Sequence, residues 1–187
     1  MVSTISPVVH GGRTSRYWLV WSLHALGATA AAAATGAVLG SVGVLLGAPW
    51  GVVGAAGVVG IGALYALRDL FGLPIPLPDL KKEVPEWWRT FFSPGVTSAL
   101  YGVGLGAAFY TSLRFGTYVV VSALVLASGD PIIGALVCAP FGIGRSLVIA
   151  VANLESSEDP AAVRLFARAN GVASCLIALY CVLMISV

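Results

Sequence analysis

Arg114 stands in the middle of a long apolar run, Gly95 to Gly129, and is the residue most able to do chemistry there. A charge held at membrane depth costs roughly 2.5 kcal/mol or more, so it is usually paired or functional. Around it the string Thr111-Ser112-Leu113-Arg114-Phe115-Gly116 reads as a break in a helix. Free backbone N–H groups at such a break add partial positive charge. With the hydroxyls of Thr111 and Ser112 they would form a contact for an anion or a substrate. The competing role is structural: Arg114 could snorkel toward an interface or tie helices together through carbonyl oxygens. Arg145, about ten residues before Leu154, could face the same cavity or be structural as well. No acid lies deep in a span to pair with either arginine. That pattern favours an anionic ligand, a lipid headgroup or a partner subunit as counter-charge.

His24, one third of the way along the first apolar stretch, is either a hydrogen-bonded packing residue or a haem ligand or proton relay. Cys138, Cys175 and Cys181 all lie in apolar sequence and form no C-x-x-C pair. Cys175 and Cys181 are six apart, about 240° around a helix, and do not face each other. Cys138 opens a C-x-P string and is the one cysteine with a conceivable redox or ligand role; as a packing residue it behaves as a small apolar group. Metal-ligand spacing, a hydrolytic triad and a phosphate loop are all missing from the sequence, so it assigns no catalytic residue, no metal site and no cofactor. The glycines of Gly102-Val103-Gly104-Leu105-Gly106 lack a preceding strand and the spacing of a nucleotide loop, and they read as helix packing.

The elements that must position these residues follow from composition. Hydrophobic residues make up 58% of the 187 and charged residues 10%. A soluble domain carries about 25% charged residues. The solvent for most of this surface is therefore lipid, and a net charge of +2 gives no footprint for nucleic acid. Tyr17 to Gly47 carries no formal charge and would make roughly 47 Å of helix. A turn at Ala48-Pro49-Trp50 leads to a second stretch from Gly51 to Leu67 or Phe71. A polar linker at about 68–94 follows, extended around Pro74, Pro76 and Pro78. It closes on a short helix whose Trp87, Trp88, Phe91 and Phe92 pair at i,i+4. That helix either lies at the membrane interface or packs on the bundle. Gly95–Gly129 is a third span, interrupted at Arg114. Asp130 caps a fourth, Pro131–Leu154, with Pro131 as its first helical residue. Ala169–Val187 is the fifth. Glycines four apart, as in Gly36/Gly40, Gly43/Gly47 and Gly102/Gly106, let helix backbones approach closely. The expected fold class is all-α: a polytopic membrane helix bundle of about five transmembrane helices, one interrupted, plus a short interfacial helix. Residues 1–16 form a cytoplasmic segment and 17–187 a single transmembrane domain.

Positive charge orients the bundle. Arg13 and Arg16, the linker cations Arg68, Lys81, Lys82 and Arg89, and the later pair Arg164 and Arg168 all fall on one side if Gly95–Gly129 crosses once. That side is cytoplasmic, with the N-terminus inside. A cleaved signal peptide built on Arg13, Arg16 and Trp18–Leu26 competes with this reading, but the apolar run continues about twenty residues further.

The order of the second half carries a resemblance. A small-residue-rich helix (Ala99–Phe109) meets the irregularity at Thr111–Gly116. An apolar helix then runs to a Gly129-Asp130-Pro131 turn, and the next contains Ala139-Pro140-Phe141-Gly142-Ile143-Gly144. Over about residues 17–187 this resembles the CcdA/DsbD transmembrane family, which carries reducing equivalents across prokaryotic cytoplasmic membranes. The resemblance implies a fold and undermines that family's reaction: the break at Thr111–Gly116 holds neither cysteine nor proline, and thiolate chemistry needs a thiol. Three classes of function stay open. One is a small transporter or exporter using the Arg114 break. The second is a redox-associated helper of cytochrome c or disulfide biogenesis acting through partners. The third is a non-catalytic assembly subunit of a larger membrane complex. The expected partners are the lipid bilayer and a membrane protein or a second copy of the chain.

Overall fold

The computed structural model describes residues 14–77, 87–107 and 116–152, without the side chains of residues 14–16, 89 and 148–152. Its described residues are helical and contain no strand. The elements are α1 (Thr14–Leu45), α2 (Gly51–Phe71), α3 (Trp88–Phe91), α4 (Pro94–Gly106), α5 (Thr117–Ser128) and α6 (Pro131–Ala152).

The helix ends obey local chemistry. Between α1 and α2, Gly47 (φ 83°) and Gly51 (φ 52°) flank a cis Ala48–Pro49 bond, which makes the turn expected there. α2 stops at Gly72 (φ 70°), whose N–H donates to the Arg68 carbonyl at 2.8 Å. Asp130 caps α6 as expected: its Oδ1 accepts the N–H groups of Ile132 and Ile133 at 2.8 and 3.0 Å.

The helices divide into two compact units. Unit 1 holds α1 up to Thr35, α3, α4 and α6 from Cys138. Here α4 runs parallel to α1: Ser98 Oγ donates to the Val20 carbonyl at 2.8 Å, Gly102 lies against His24 and Gly106 against Ala28. α6 runs antiparallel, with Trp21 Nε1 donating to the Ser146 carbonyl at 3.1 Å and Gly142 against Ala28. A side chain at Gly102, Gly106 or Gly142 would meet backbone atoms, so the expected glycine packing is found there. Unit 2 holds α1 from Gly36, α2, α5 and α6 up to Val137. Its centre is Val58 against Val120, and Gly40 and Gly43 abut the carbonyls of Asp130 and Leu126. Gly47 of the expected Gly43/Gly47 pair, and Gly57 and Gly60 on α2, have nothing within 4 Å.

The expectation of a multi-pass bundle of five spans is corrected. Among the described residues two helices, Tyr17–Leu45 and Gly51–Phe71, are long and apolar enough to cross a membrane; Thr117–Ser128 is apolar but shorter, and α6 is apolar over Pro131–Leu147, the part whose side chains are described. On either side of residues 108–115, the described residues form a 13-residue helix and a 12-residue helix. At 1.5 Å per residue these reach about 20 and 18 Å, against a hydrocarbon thickness of about 30 Å. Ala169–Val187 lies outside the described residues. The short aromatic helix also differs from its expectation. Trp87 and Phe91 do pair, with ring centroids 5.8 Å apart, but Trp88 turns inward onto Tyr101 of α4 at 6.0 Å and Phe92 joins Trp87 at 6.3 Å.

Candidate functional site

Two buried polar clusters stand out. In unit 1, His24 is fully buried in α1. Its Nδ1 lies 3.1 Å from the Ser98 carbonyl oxygen. A carbonyl only accepts, so Nδ1 carries the proton and Nε2 presents a lone pair. Among the described residues Nε2 has no hydrogen-bond partner. A fixed backbone partner on one ring nitrogen and a lone pair on the other is the arrangement that prepares a neutral imidazole to accept a hydrogen bond or hold a ligand. Ser98 is itself held by the Val20 carbonyl, so the ring is oriented from two helices. Among the described residues there is no group of three His, Cys, Asp or Glu that could complete a metal site.

In unit 2, the last turn of α2 meets the first turn of α5. Asp69 is buried, at 7% exposure. One carboxylate oxygen pairs with Arg68 Nη1 at 2.5 Å and the other accepts the Gly116 N–H at 2.8 Å, at the positive end of α5. Arg68 Nε donates to the Ile75 carbonyl at 2.8 Å and the Tyr65 hydroxyl to that of Pro76 at 3.2 Å, which fold the proline segment back onto α2. Gly116 fits because a Cβ there would stand 2.5 Å from Cβ of Tyr65. The Asp69 carboxylate thus neutralises a helix start and an arginine together.

The residues expected at the site are not brought together. Thr111, Ser112 and Arg114 lie outside the described residues. Arg145 sits on α6 with its guanidinium carbon 5.3 Å from the Phe141 ring centroid, one residue from the Ser146 carbonyl that Trp21 holds. Cys138 is buried and free. It and His24 fall in the same unit. Sequence reasoning missed Asp69, which it placed in a solvated linker; the signal was the apolar run Leu64–Leu67 continuing through Leu70-Phe71 on both sides of Arg68-Asp69.

No protein-family model matches the sequence, and no solved structure matches the fold. Among curated proteins the chain is similar to methylamine utilization protein MauF from several bacteria. It is 34% identical to that of Methylorubrum extorquens over 164 residues, covering 84% of this chain and 56% of the relative. With that of Paracoccus versutus the identity is 30% over 157 residues, covering 80% and 56%, and with that of Methylophilus methylotrophus 33% over 144 residues, covering 75% and 50%. The chain therefore spans about half the length of the curated relatives it matches. These relatives overturn the resemblance to the CcdA/DsbD family and, with it, the transporter or exporter reading. The physical reason is that glycine-faced helices and an interrupted helix are general solutions to close helix packing, whereas the cysteine pair that would have been specific is missing from the break. What the comparisons establish is similarity to the methylamine utilization protein MauF.

Proposed function

We propose that the chain serves methylamine utilization as a membrane-embedded helper that acts through a protein partner in a bacterial membrane. The similarity to relatives named for methylamine utilization carries this reading. Membrane embedding is supported by the two long apolar helices and by the large hydrophobic residues they expose, among them Leu45 at 84% and Val53 at 78%. Within it, His24 is the candidate ligand-accepting residue, and Arg114 with Thr111 and Ser112 is the candidate partner contact. Deletion of the gene in its bacterium tests the proposal. The expected result is loss of growth with methylamine as sole nitrogen source, normal growth with ammonium, and rescue by the intact gene. Normal growth of the deletion strain on methylamine refutes it. Affinity purification at native expression, with the Arg114→Ala variant alongside, identifies the partner and tests that contact.

A further inference from the structure

α1, α4 and α6 each place one polar side chain at a single level of unit 1. Ser98 of α4 is joined to α1 twice. Its hydroxyl donates to the Val20 carbonyl at 2.8 Å, and its carbonyl oxygen accepts from His24 Nδ1 at 3.1 Å. On α6, Gly142 abuts Ala28, and one turn along each of these antiparallel helices leads from there to Ser146 and His24. The bond from Trp21 Nε1 to the Ser146 carbonyl fixes the same register. His24, Ser98 and Ser146 are all fully buried.

The donors of this layer are spent within the chain. The Nδ1–H goes to Ser98, the Ser98 hydroxyl to Val20, the Ser146 hydroxyl to the Gly142 carbonyl at 2.9 Å, and the Trp21 indole N–H to Ser146. What is left over is acceptor capacity: the Nε2 lone pair, which has no partner among the described residues, and the lone pairs of the two serine hydroxyls. A buried acceptor left unmet is destabilising. A ligand matched to this layer donates hydrogen bonds without needing a donor in return. Water does not match, because it brings lone pairs of its own that the layer has nothing left to meet. A protonated primary amine does match, being three donors with no acceptor. Its charge also makes each bond roughly twice as strong as a neutral one.

We propose that the His24–Ser98–Ser146 layer of unit 1 is a binding site for a small protonated primary amine, with His24 Nε2 as its principal acceptor. The class of ligand comes from the hydrogen-bond count; methylammonium as its simplest member rests on the methylamine reading above. The surrounding helices meet glycine to backbone at Gly102 and Gly142, which restricts the ligand to the smallest amines. The three side chains are buried, so the amine enters as the helices part and is sealed from water once inside.

The full chain in mild detergent is melted at pH 7, where a primary amine is protonated, with methylammonium, tetramethylammonium or potassium chloride. Methylammonium should raise the melting point with saturation. Tetramethylammonium and potassium carry the charge without an N–H and should leave it where it was. His24→Phe should weaken methylammonium binding at least about tenfold, because the bond lost is charge-assisted, and Ser146→Ala should weaken it less. Equal shifts with all three salts show a general ionic effect and overturn the site, as does an unaltered response in His24→Phe. The chain has two histidines, so in a His10→Gln background the nitrogen-15 resonances of His24 are read with the site itself intact, whether or not His24→Phe folds. Methylammonium should move the Nε2 resonance to that of a hydrogen-bonded acceptor. A resonance already there before the amine is added, and unmoved by it, marks an internal water and overturns the proposal; so does one that stays at the unbonded position. Absence of binding beside a deletion strain that cannot grow on methylamine removes the site and leaves the helper reading standing. Binding beside normal growth of the deletion strain upholds the site and removes the helper reading.

Discussion

Replacing Asp69 with alanine removes two interactions at once, and their sizes follow from the geometry. The Gly116 N–H donates to a buried carboxylate at 2.8 Å. Hydrogen bonds to charged groups contribute about 1.5–3 kcal/mol. The pair with Arg68 adds less, roughly 1 kcal/mol at most, because 22% of the Arg68 side chain is exposed and its Nε keeps the Ile75 carbonyl. The sum is a loss of about 2–4 kcal/mol. For a chain of this size each kcal/mol moves the melting midpoint by about 2–4 °C, so Asp69→Ala should melt about 4–16 °C lower. Asp69→Asn keeps a side-chain carbonyl for Gly116 and loses the charge, and should fall between alanine and the unaltered protein. Thermal melts followed by circular dichroism in mild detergent measure all three. An unchanged melting midpoint for Asp69→Ala refutes the anchoring role. Asp69→Asn melting as low as Asp69→Ala refutes the share assigned to the bond at the start of α5.

Other outcomes follow from the packing. Gly106→Ala places a methyl 2.8 Å from the Ala28 Cα and should cost about 1–3 kcal/mol, whereas Gly57→Ala meets nothing within 4 Å and should leave stability equal or raised by up to about 1 kcal/mol; melting the two side by side checks the contrast, and equal effects would refute the assigned packing. His24→Phe removes the orphaned Nε2 together with the bond to Ser98, so the melting point should move by less than about 1 kcal/mol equivalent while growth on methylamine fails if the lone pair is used; normal growth removes His24 from the function. Cys138→Ala should cost about 1 kcal/mol of stability and leave growth on methylamine intact; lost growth in a well-folded variant would show that the thiol takes part.

Helix ends were legible in the sequence because the residues that make them act locally. Asp130-Pro131 announced the start of α6, and Ala48-Pro49 with its flanking glycines announced the first turn. Helix length was less legible. An apolar run states that a segment avoids water, but the division of Gly95–Gly129 into α4 and α5 depends on what anchors each piece: Ala28 beside Gly106 and Asp69 at Gly116. The partners of His24 and Asp69 were hidden for the same reason, being 74 and 47 positions away along the chain. His24 was visible as an outlier among apolar residues, while Asp69 was masked by its neighbour Arg68, since an adjacent charge pair looks like solvated linker. The direction of Trp88 was likewise set by Tyr101, a residue that i,i+4 spacing does not reach.

Ala28 has a consequence for how this sequence can change. It is fully buried, and methyl groups built on Gly106 and Gly142 would stand 2.8 and 2.6 Å from its own backbone atoms, with Gly102 pressed on the same turn. Three helices far apart in the chain thus spend one shared volume. Growth at any of these four positions has no room unless another yields, and three of the four are already at the smallest residue available. The group is therefore a single heritable unit: across related sequences the four positions should stay small together or drift in compensating pairs, while the exposed residues one turn away vary freely.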